Sequence, residues 1–107
     1  MEAISRNEEL ILISVWRLQE EAYGLSVREE MIRLLERTVS VGAVYVPLER
    51  LAKKGFLTSS ERAPSDRRGG RRKRLYHLSA KGVAALGAAR ALHDRAWAKL
   101  PTLSLGT

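Results

Sequence analysis

The chain has 107 residues, which fits one domain built around one modest hydrophobic core. It contains no cysteine, which excludes disulfides, thiolate metal sites and cysteine nucleophiles. The formal net charge is +7, and the segment from Arg62 to Arg74 holds +6 of it, because that segment contains seven basic residues and a single acid, Asp66. Charge concentrated in one segment favours a polyanionic partner over a general effect on solubility. No secretory leader or bilayer-spanning apolar run is visible, so we expect a cytoplasmic protein and no membrane partner.

Two helices are predicted before residue 39. The first spans about Asn7 to Glu20, with Ser5 or Asn7 as its cap, and is apolar enough to be buried on most sides. The second covers the stretch "LSVREEMIRLLERT", in which Ser26 and Glu29 have the spacing of a capping box.

The stretch "SVGAVYVPLERLAKKG" predicts a third helix with Ser40 as its N-cap and Gly55 just after its end. Val44, Leu48 and Leu51 repeat at helical spacing and mark the buried face. The opposite, exposed face then presents Gly42, Val46, Glu49, Arg50 and Lys53.

Two residues of the third helix break the simple pattern. Pro47 removes a backbone donor and crowds the previous turn, so a kink or an opened first turn is expected there. Tyr45 flanks the buried stripe, which leaves open whether it packs at the edge of the core or contacts phosphate.

A hairpin and a long helix complete the chain. The stretches "FLTSSERA" and "RLYHLS" read as two short strands, in which Leu75 and His77 alternate with Tyr76 and Leu78, and His77 is expected to be exposed. The last helix runs from a cap at Ser79 to about Leu100, and Pro101 stops it.

Three short helices followed by a basic two-stranded hairpin predict a mostly α fold, a winged helix-turn-helix domain with a C-terminal dimerisation helix. In that arrangement the third helix enters the major groove of double-stranded DNA and the wing reaches the backbone or minor groove. Residues 1–79 form the DNA-binding domain, with the wing at about 56–78, and residues 80–107 form the helix and a short tail. The expected DNA contacts are Ser40, Gly42, Ala43, Tyr45, Val46, Arg50 and Lys53 on the third helix, and Arg67, Arg68, Gly70, Arg71, Arg72 and Lys73 in the wing.

Three stretches together resemble the PadR family of bacterial transcriptional regulators: "EAYGLSVREEM", "SVGAVYVPLERLAKKGFL" and "GGRRKRLYHLSAKGVAAL". The resemblance implies a homodimer joined through its C-terminal and first helices, usually a repressor of a two-fold symmetric operator. It also implies, for ligand-responsive members, a planar aromatic effector near the dimer interface. Two departures are visible: the proline of the third helix stands one place later than is common in the family, and a single helix follows the wing.

The last helix carries the residues expected at the dimer interface. Trp97 lies one turn from His93 in an alanine-rich stretch that lets a partner helix approach closely. Trp97 is interpreted as a dimer-core anchor, or else as a stacking platform for an aromatic effector. Trp16 is interpreted as a core residue, or else as a residue that lines the same cavity, so the candidate effector residues are Trp16, His93 and Trp97. The expected interface comprises Leu86, Ala89, His93, Ala96, Trp97 and Leu100.

Neither histidine has a carboxylate or nucleophile at a productive spacing in the sequence, and metal-ligand spacing is absent, so we expect neither an enzyme nor a cofactor. Two alternatives to a specific regulator stay open. One is a protein-interaction module that docks a partner on the third-helix face, with Val46 and Pro47 exposed. The other is a non-specific DNA-binding protein.

Overall fold

A computed structural model describes residues 3–62 and 73–101, and its elements follow the predicted order. Helices α1 to α3 precede a two-stranded antiparallel hairpin, and a fourth helix follows it, which confirms a mostly α winged-helix fold. The bounds are α1 Arg6–Leu18, a 3₁₀ turn Gln19–Glu21, α2 Gly24–Leu35, α3 Gly42–Lys53, β1 Leu57–Arg62, β2 Lys73–Leu78 and α4 Ala80–Trp97. Within this described part, no helix is long and apolar enough to cross a membrane.

Helix α1 begins at a reciprocal cap and ends earlier than predicted. The Glu8 backbone N–H donates to Ser5 Oγ (3.1 Å), and the Ser5 N–H donates to the Glu8 carboxylate (2.8 Å), so Ser5 is the cap. The helix stops at Leu18 because Gln19 takes a positive φ of 52°. The predicted core position of Trp16 is wrong: its side chain is 57% exposed, since it follows Val15 by about 100° around the helix.

Helix α2 begins at Gly24, so the predicted capping box of Ser26 and Glu29 is wrong. Ser26 is the third residue of the helix, and its hydroxyl accepts the Tyr23 N–H (3.0 Å) and donates to the Glu21 carbonyl (2.6 Å). The helix ends at Leu35, ahead of a left-handed Glu36 (φ 54°).

Helix α3 runs without interruption through Pro47. The residue at its N-cap position is Val41, although Ser40 Oγ still accepts the Ala43 N–H at 3.2 Å. Gly55 (φ +86°) ends the helix as predicted: the Phe56 N–H donates to the Leu51 carbonyl (2.9 Å) and the Gly55 N–H to the Ala52 carbonyl (3.1 Å).

The hairpin pairs Leu57 with Leu78 at its base and Arg62 with Lys73 at the end of the described ladder. Strict alternation of burial along β2 is not observed, because Leu75 and Tyr76 are both buried. Tyr76 joins the core cluster, and its N–H donates to the Ala22 carbonyl (2.8 Å), while Leu75 forms an isolated bridge with Tyr23. The segment between α1 and α2 therefore covers the second edge of β2.

Helix α4 is capped by Ser79, whose Oγ accepts the Gly82 N–H (3.0 Å), and it ends at Trp97, three residues before the predicted end. It packs on α1 and β2, yet only Gly82 and Ala85 of its 18 residues are buried. The core proper comprises Ile11, Leu12, Val15, Ala22, Val27, Met31, Val39, Val44, Leu48, Leu51, Phe56, Leu57, Tyr76 and Ala85.

Candidate nucleic-acid interface

The first turn of α3 presents small, open residues to solvent. Ser40, Gly42 and Ala43 are all exposed, and a side chain added at Gly42 would meet no atom within 4 Å. A backbone without bulky side chains, at the positive end of a helix dipole, can approach phosphates and base edges closely. The structure thus brings together the three residues that the sequence placed at the start of the third helix.

Pro47 leaves the Ala43 carbonyl without its usual intrahelical donor, because proline has no N–H. The side-chain amide of Asn7, in the first turn of α1, lies at hydrogen-bond distance from that carbonyl (Nδ2 to O, 3.5 Å). Pro47 itself is buried, so the expectation that it is exposed on a docking face is wrong.

Tyr45 is 40% exposed and its ring lies against the start of α2. A Cβ built on Gly24 would overlap the Cε1 and Cζ atoms of that ring, so a larger residue there would require the ring to move. The Tyr45 ring is therefore held at the junction of the two helices of the helix-turn-helix with its edge accessible to a ligand, a relation that the sequence did not reveal.

Further along α3, Val46 (59% exposed), Arg50 and Lys53 follow on the outward side, together with Glu49. Arg50 makes a contact that the sequence did not predict: its Nε lies 3.3 Å from Oε2 of Glu8, a carboxylate on α1 that is buried despite its charge. The backbone N–H of Ser5, together with the Arg50 guanidinium, lowers the pKa of Glu8 against the opposing effect of burial.

The far end of the described hairpin, where Arg62 pairs with Lys73, contacts the segment after α1. The Nζ of Lys73 lies over the Tyr23 ring, 4.2 Å from its centroid, so this predicted DNA contact already has an aromatic partner. Arg62 reaches the Glu20 carbonyl (3.3 Å) and the Glu21 carboxylate (3.5 Å). The other predicted wing contacts, Arg67, Arg68, Gly70, Arg71 and Arg72, lie outside the described residues.

Both histidines have carboxylate neighbours that are distant in the sequence. His77 Nε2 lies 3.3 Å from Glu20 Oε2, and the His77 side chain is 38% exposed. His93 Nε2 lies 3.2 Å from Glu9 Oε1 and 3.4 Å from Arg6 Nη1. Among the described residues, no group of three or more His, Cys, Asp or Glu side chains has the arrangement of a metal site.

The candidate effector residues are not brought together within one chain. His93 lines a cleft of about 390 Å³ between the start of α1 and the middle of α4, whose other walls include Ile4, Ala89 and Leu92. Trp16 lines a separate cleft of about 220 Å³ against β2. Trp97 stands at the end of α4, 61% exposed.

The expected interface residues of α4 divide into two groups. Leu86, Ala89 and His93 are half-buried in the same chain. From residue 94 to residue 101 every residue is exposed, including Ala96, Trp97 and Leu100. The second half of the predicted stripe is therefore uncovered in the single chain.

A model of the transcriptional regulator PadR-like family matches residues 12–88 of this chain. A comparison with curated protein sequences returns no match.

Several solved structures share the fold. RosR of H. salinarum superposes with a TM-score of 0.71 at 21% identity, over 92% of this chain and 81% of that one. A PadR family transcription regulator from Clostridium difficile gives 0.64 at 22%, over 85% and 88%. Bacillus subtilis PadR, solved in complex with operator DNA, gives 0.62 at 20%, over 94% of this chain and 52% of that one.

Proposed function

Because this chain belongs to the PadR-like family of transcriptional regulators, we propose that it binds double-stranded DNA sequence-specifically as a homodimer and acts as a repressor. The observation that carries the proposal is the outward row of α3, which starts with small residues and continues to two exposed cations. Bacillus subtilis PadR, which shares the fold, was solved in complex with operator DNA.

The chemistry of this row suits the major groove. Its small first turn allows close approach, Val46 offers an apolar contact for a thymine methyl group, and Arg50 and Lys53 have the charge to hold flanking phosphates. Gly42, Ala43 and Tyr45, with Ser40 just before them, complete the proposed α3 contact surface.

The wing supplies affinity that depends little on sequence. Cations that neutralise phosphates release condensed counterions, so binding weakens as salt increases. We assign this role to the cations Arg67, Arg68, Arg71, Arg72 and Lys73. Gly70 is assigned a different one, since glycine allows the loop to bend tightly into a groove.

The proposed dimer forms through α4. The uncovered end of α4 presents Trp97, which is 61% exposed, and Leu100 follows just beyond the helix, 51% exposed. Small residues beside Trp97 let a second helix approach. The radius of gyration, 16.3 Å, exceeds the roughly 13 Å expected of a compact chain of this length, so the single chain is elongated.

A small aromatic effector is proposed near the same region. The cleft between α1 and α4 is apolar apart from Arg6, Glu9 and His93, and an apolar pocket with a few convergent polar groups is typical of small-molecule sites. In the dimer, Trp97 or Trp16 of either copy would supply a stacking surface.

Selection of preferred duplexes from a random pool, with the full chain as bait, tests the proposal. An inverted repeat is the expected result, and failure to enrich any sequence favours the non-specific alternative. A salt titration separates both from a protein-interaction module, since a steep loss of affinity with salt belongs to phosphate binding. The burial of Pro47 weakens that module further.

Arg71→Ala tests the wing. We expect it to weaken binding similarly on selected and random duplexes and to reduce the magnitude of the salt slope by about one. Fluorescence anisotropy across a salt series measures both quantities. An unchanged slope would remove Arg71 from the phosphate contacts while leaving the assignment of α3 to be tested separately.

A further inference from the structure

A buried carboxylate lies directly behind the proposed DNA-contacting surface of α3. Glu8 is the third residue of α1 and is 8% exposed, and its two oxygens have separate partners on separate elements. Oε1 accepts the Ser5 N–H at 2.8 Å, and Oε2 accepts the Arg50 Nε–H at 3.3 Å. The cap of α1 and the orientation of one α3 side chain therefore depend on the same group.

The contact with Glu8 uses one edge of the Arg50 guanidinium and leaves its other N–H donors available for a ligand. A guanidinium has five N–H donors in a rigid plane, so a bond at Nε fixes that plane while the four Nη hydrogens stay available. The Arg50 side chain is 45% exposed, and within the described residues Glu8 is the group that bonds to it. An arginine restrained in this way loses less conformational entropy on meeting a phosphate or a base.

A second contact links the same turn of α1 to α3. The Asn7 side chain approaches the Ala43 carbonyl that Pro47 leaves without an intrahelical donor. The neighbouring residues Asn7 and Glu8 thus hold α3 at its first turn and again two turns later.

We propose that Glu8 is a positioning residue for DNA recognition, which holds Arg50, and with it the outward face of α3, in the geometry that binds DNA. This inference rests on the proposed DNA-binding function. It assigns a positioning role to α1, an element that lies behind the DNA-contacting surface and whose acidic side chain has the wrong charge to contact DNA itself.

Glu8→Gln tests the inference because the two possible roles of the Glu8 charge predict opposite changes in DNA affinity. Glutamine keeps an oxygen that can accept the Ser5 N–H, so the α1 cap survives, but it removes the ion pair with Arg50. If Glu8 merely repelled phosphate, its neutralisation would tighten binding, whereas a positioning role predicts a loss of about 3- to 10-fold. The affinity is measured by anisotropy on the duplex that the wild-type chain selects from a random pool.

Glu30→Gln is the matched control. Glu30 is also a buried carboxylate, and it bonds to Arg17 and Arg33 rather than to any residue of α3. The Glu30→Gln variant should be less stable than the wild type but should bind the selected duplex with unchanged affinity. The affinity is measured at a temperature at which both variants remain folded.

The Arg50→Ala background separates positioning from general destabilisation. If Glu8 acts through Arg50, Glu8→Gln should cause no further loss of affinity there. An equal loss in both backgrounds, or tighter binding by Glu8→Gln alone, overturns the inference. Failure of the wild-type chain to bind any duplex in a salt-dependent way overturns instead the proposed function on which it rests.

Discussion

Gly82 shows how one missing side chain fixes the start of α4. A Cβ at this position would stand 2.2 Å from the Phe56 carbonyl oxygen and 3.2 Å from the Phe56 carbonyl carbon. These are backbone atoms at the turn into β1, so rotation of a side chain cannot relieve the clash. The close approach of α4 to the base of the wing depends on glycine here.

Gly82→Ala is therefore expected to lower the free energy of unfolding by about 1–3 kcal/mol, although alanine is the better helix former. Gly87→Ala, on the same helix with no atom within 4 Å of the added carbon, should leave stability unchanged or raise it. Urea unfolding followed by circular dichroism compares the two. A Gly82→Ala protein as stable as wild type would show that α4 shifts along β1 at little cost.

At the scale of elements, one buried carboxylate joins α1 to α2. Glu30 is 6% exposed; it accepts Arg33 Nη2 at 2.6 Å through one oxygen and Arg17 Nε at 2.6 Å through the other. The Arg33 and Arg17 hydrogen bonds lower the pKa of the Glu30 carboxyl despite its burial.

This lowered pKa predicts the direction of a pH effect. The folded chain favours the ionised carboxylate, so its contribution is complete above the ordinary pKa of 4.5 and is lost as the pH falls through the lower folded value. Near neutral pH, Glu30→Gln should cost about 1 kcal/mol, since both arginines are more than half exposed to solvent. Unfolding measured between pH 7 and pH 3 should show this difference disappear below pH 4.5; a constant difference would contradict it.

The order and type of the elements could be predicted because local signals agreed with one another. The apolar spacing on α3, Gly55 after its end and the cap at Ser79 each depend on neighbours within one turn. Helix boundaries at α1 and α2 were missed where a contact distant along the chain decided them, as when Ala22 and Tyr23 pair with β2.

In the candidate site, too, local features could be predicted from the sequence and long-range contacts could not. Exposure of Gly42, Val46 and Arg50 followed from helical periodicity alone. The partners of these residues did not, because the contacts between Glu8 and Arg50 and between Asn7 and Ala43 join residues 42 and 36 positions apart. Trp16 was assigned to the core from its apolar character, whereas its angle around α1 places it at the rim.

At the scale of the whole molecule, the uncovered end of α4 is the feature that a second copy would complete. Trp97→Glu removes the large exposed aromatic surface there and should convert the proposed dimer to monomers, because a charge cannot be buried unpaired in an apolar interface. The exposure of Trp97 in the single chain means that the protomer fold should survive.

Sedimentation equilibrium measures the change, with Ala91→Glu as the control. Ala91 is exposed and lies about 140–160° around α4 from Leu86 and His93, so the same charge placed there should leave the proposed dimer intact. Dimers that persist in Trp97→Glu would place the interface elsewhere on the chain.

The sparse burial of α4 has a further consequence for how the molecule would respond to its own abundance. If only a dimer binds both half-sites of an inverted repeat, the concentration of dimer grows with the square of the chain concentration at low concentration. This dependence weakens once most chains are paired. The occupancy of a DNA site would then rise more steeply than the chain concentration itself. The strength of pairing at the uncovered end of α4 would set the chain concentration at which the site becomes occupied.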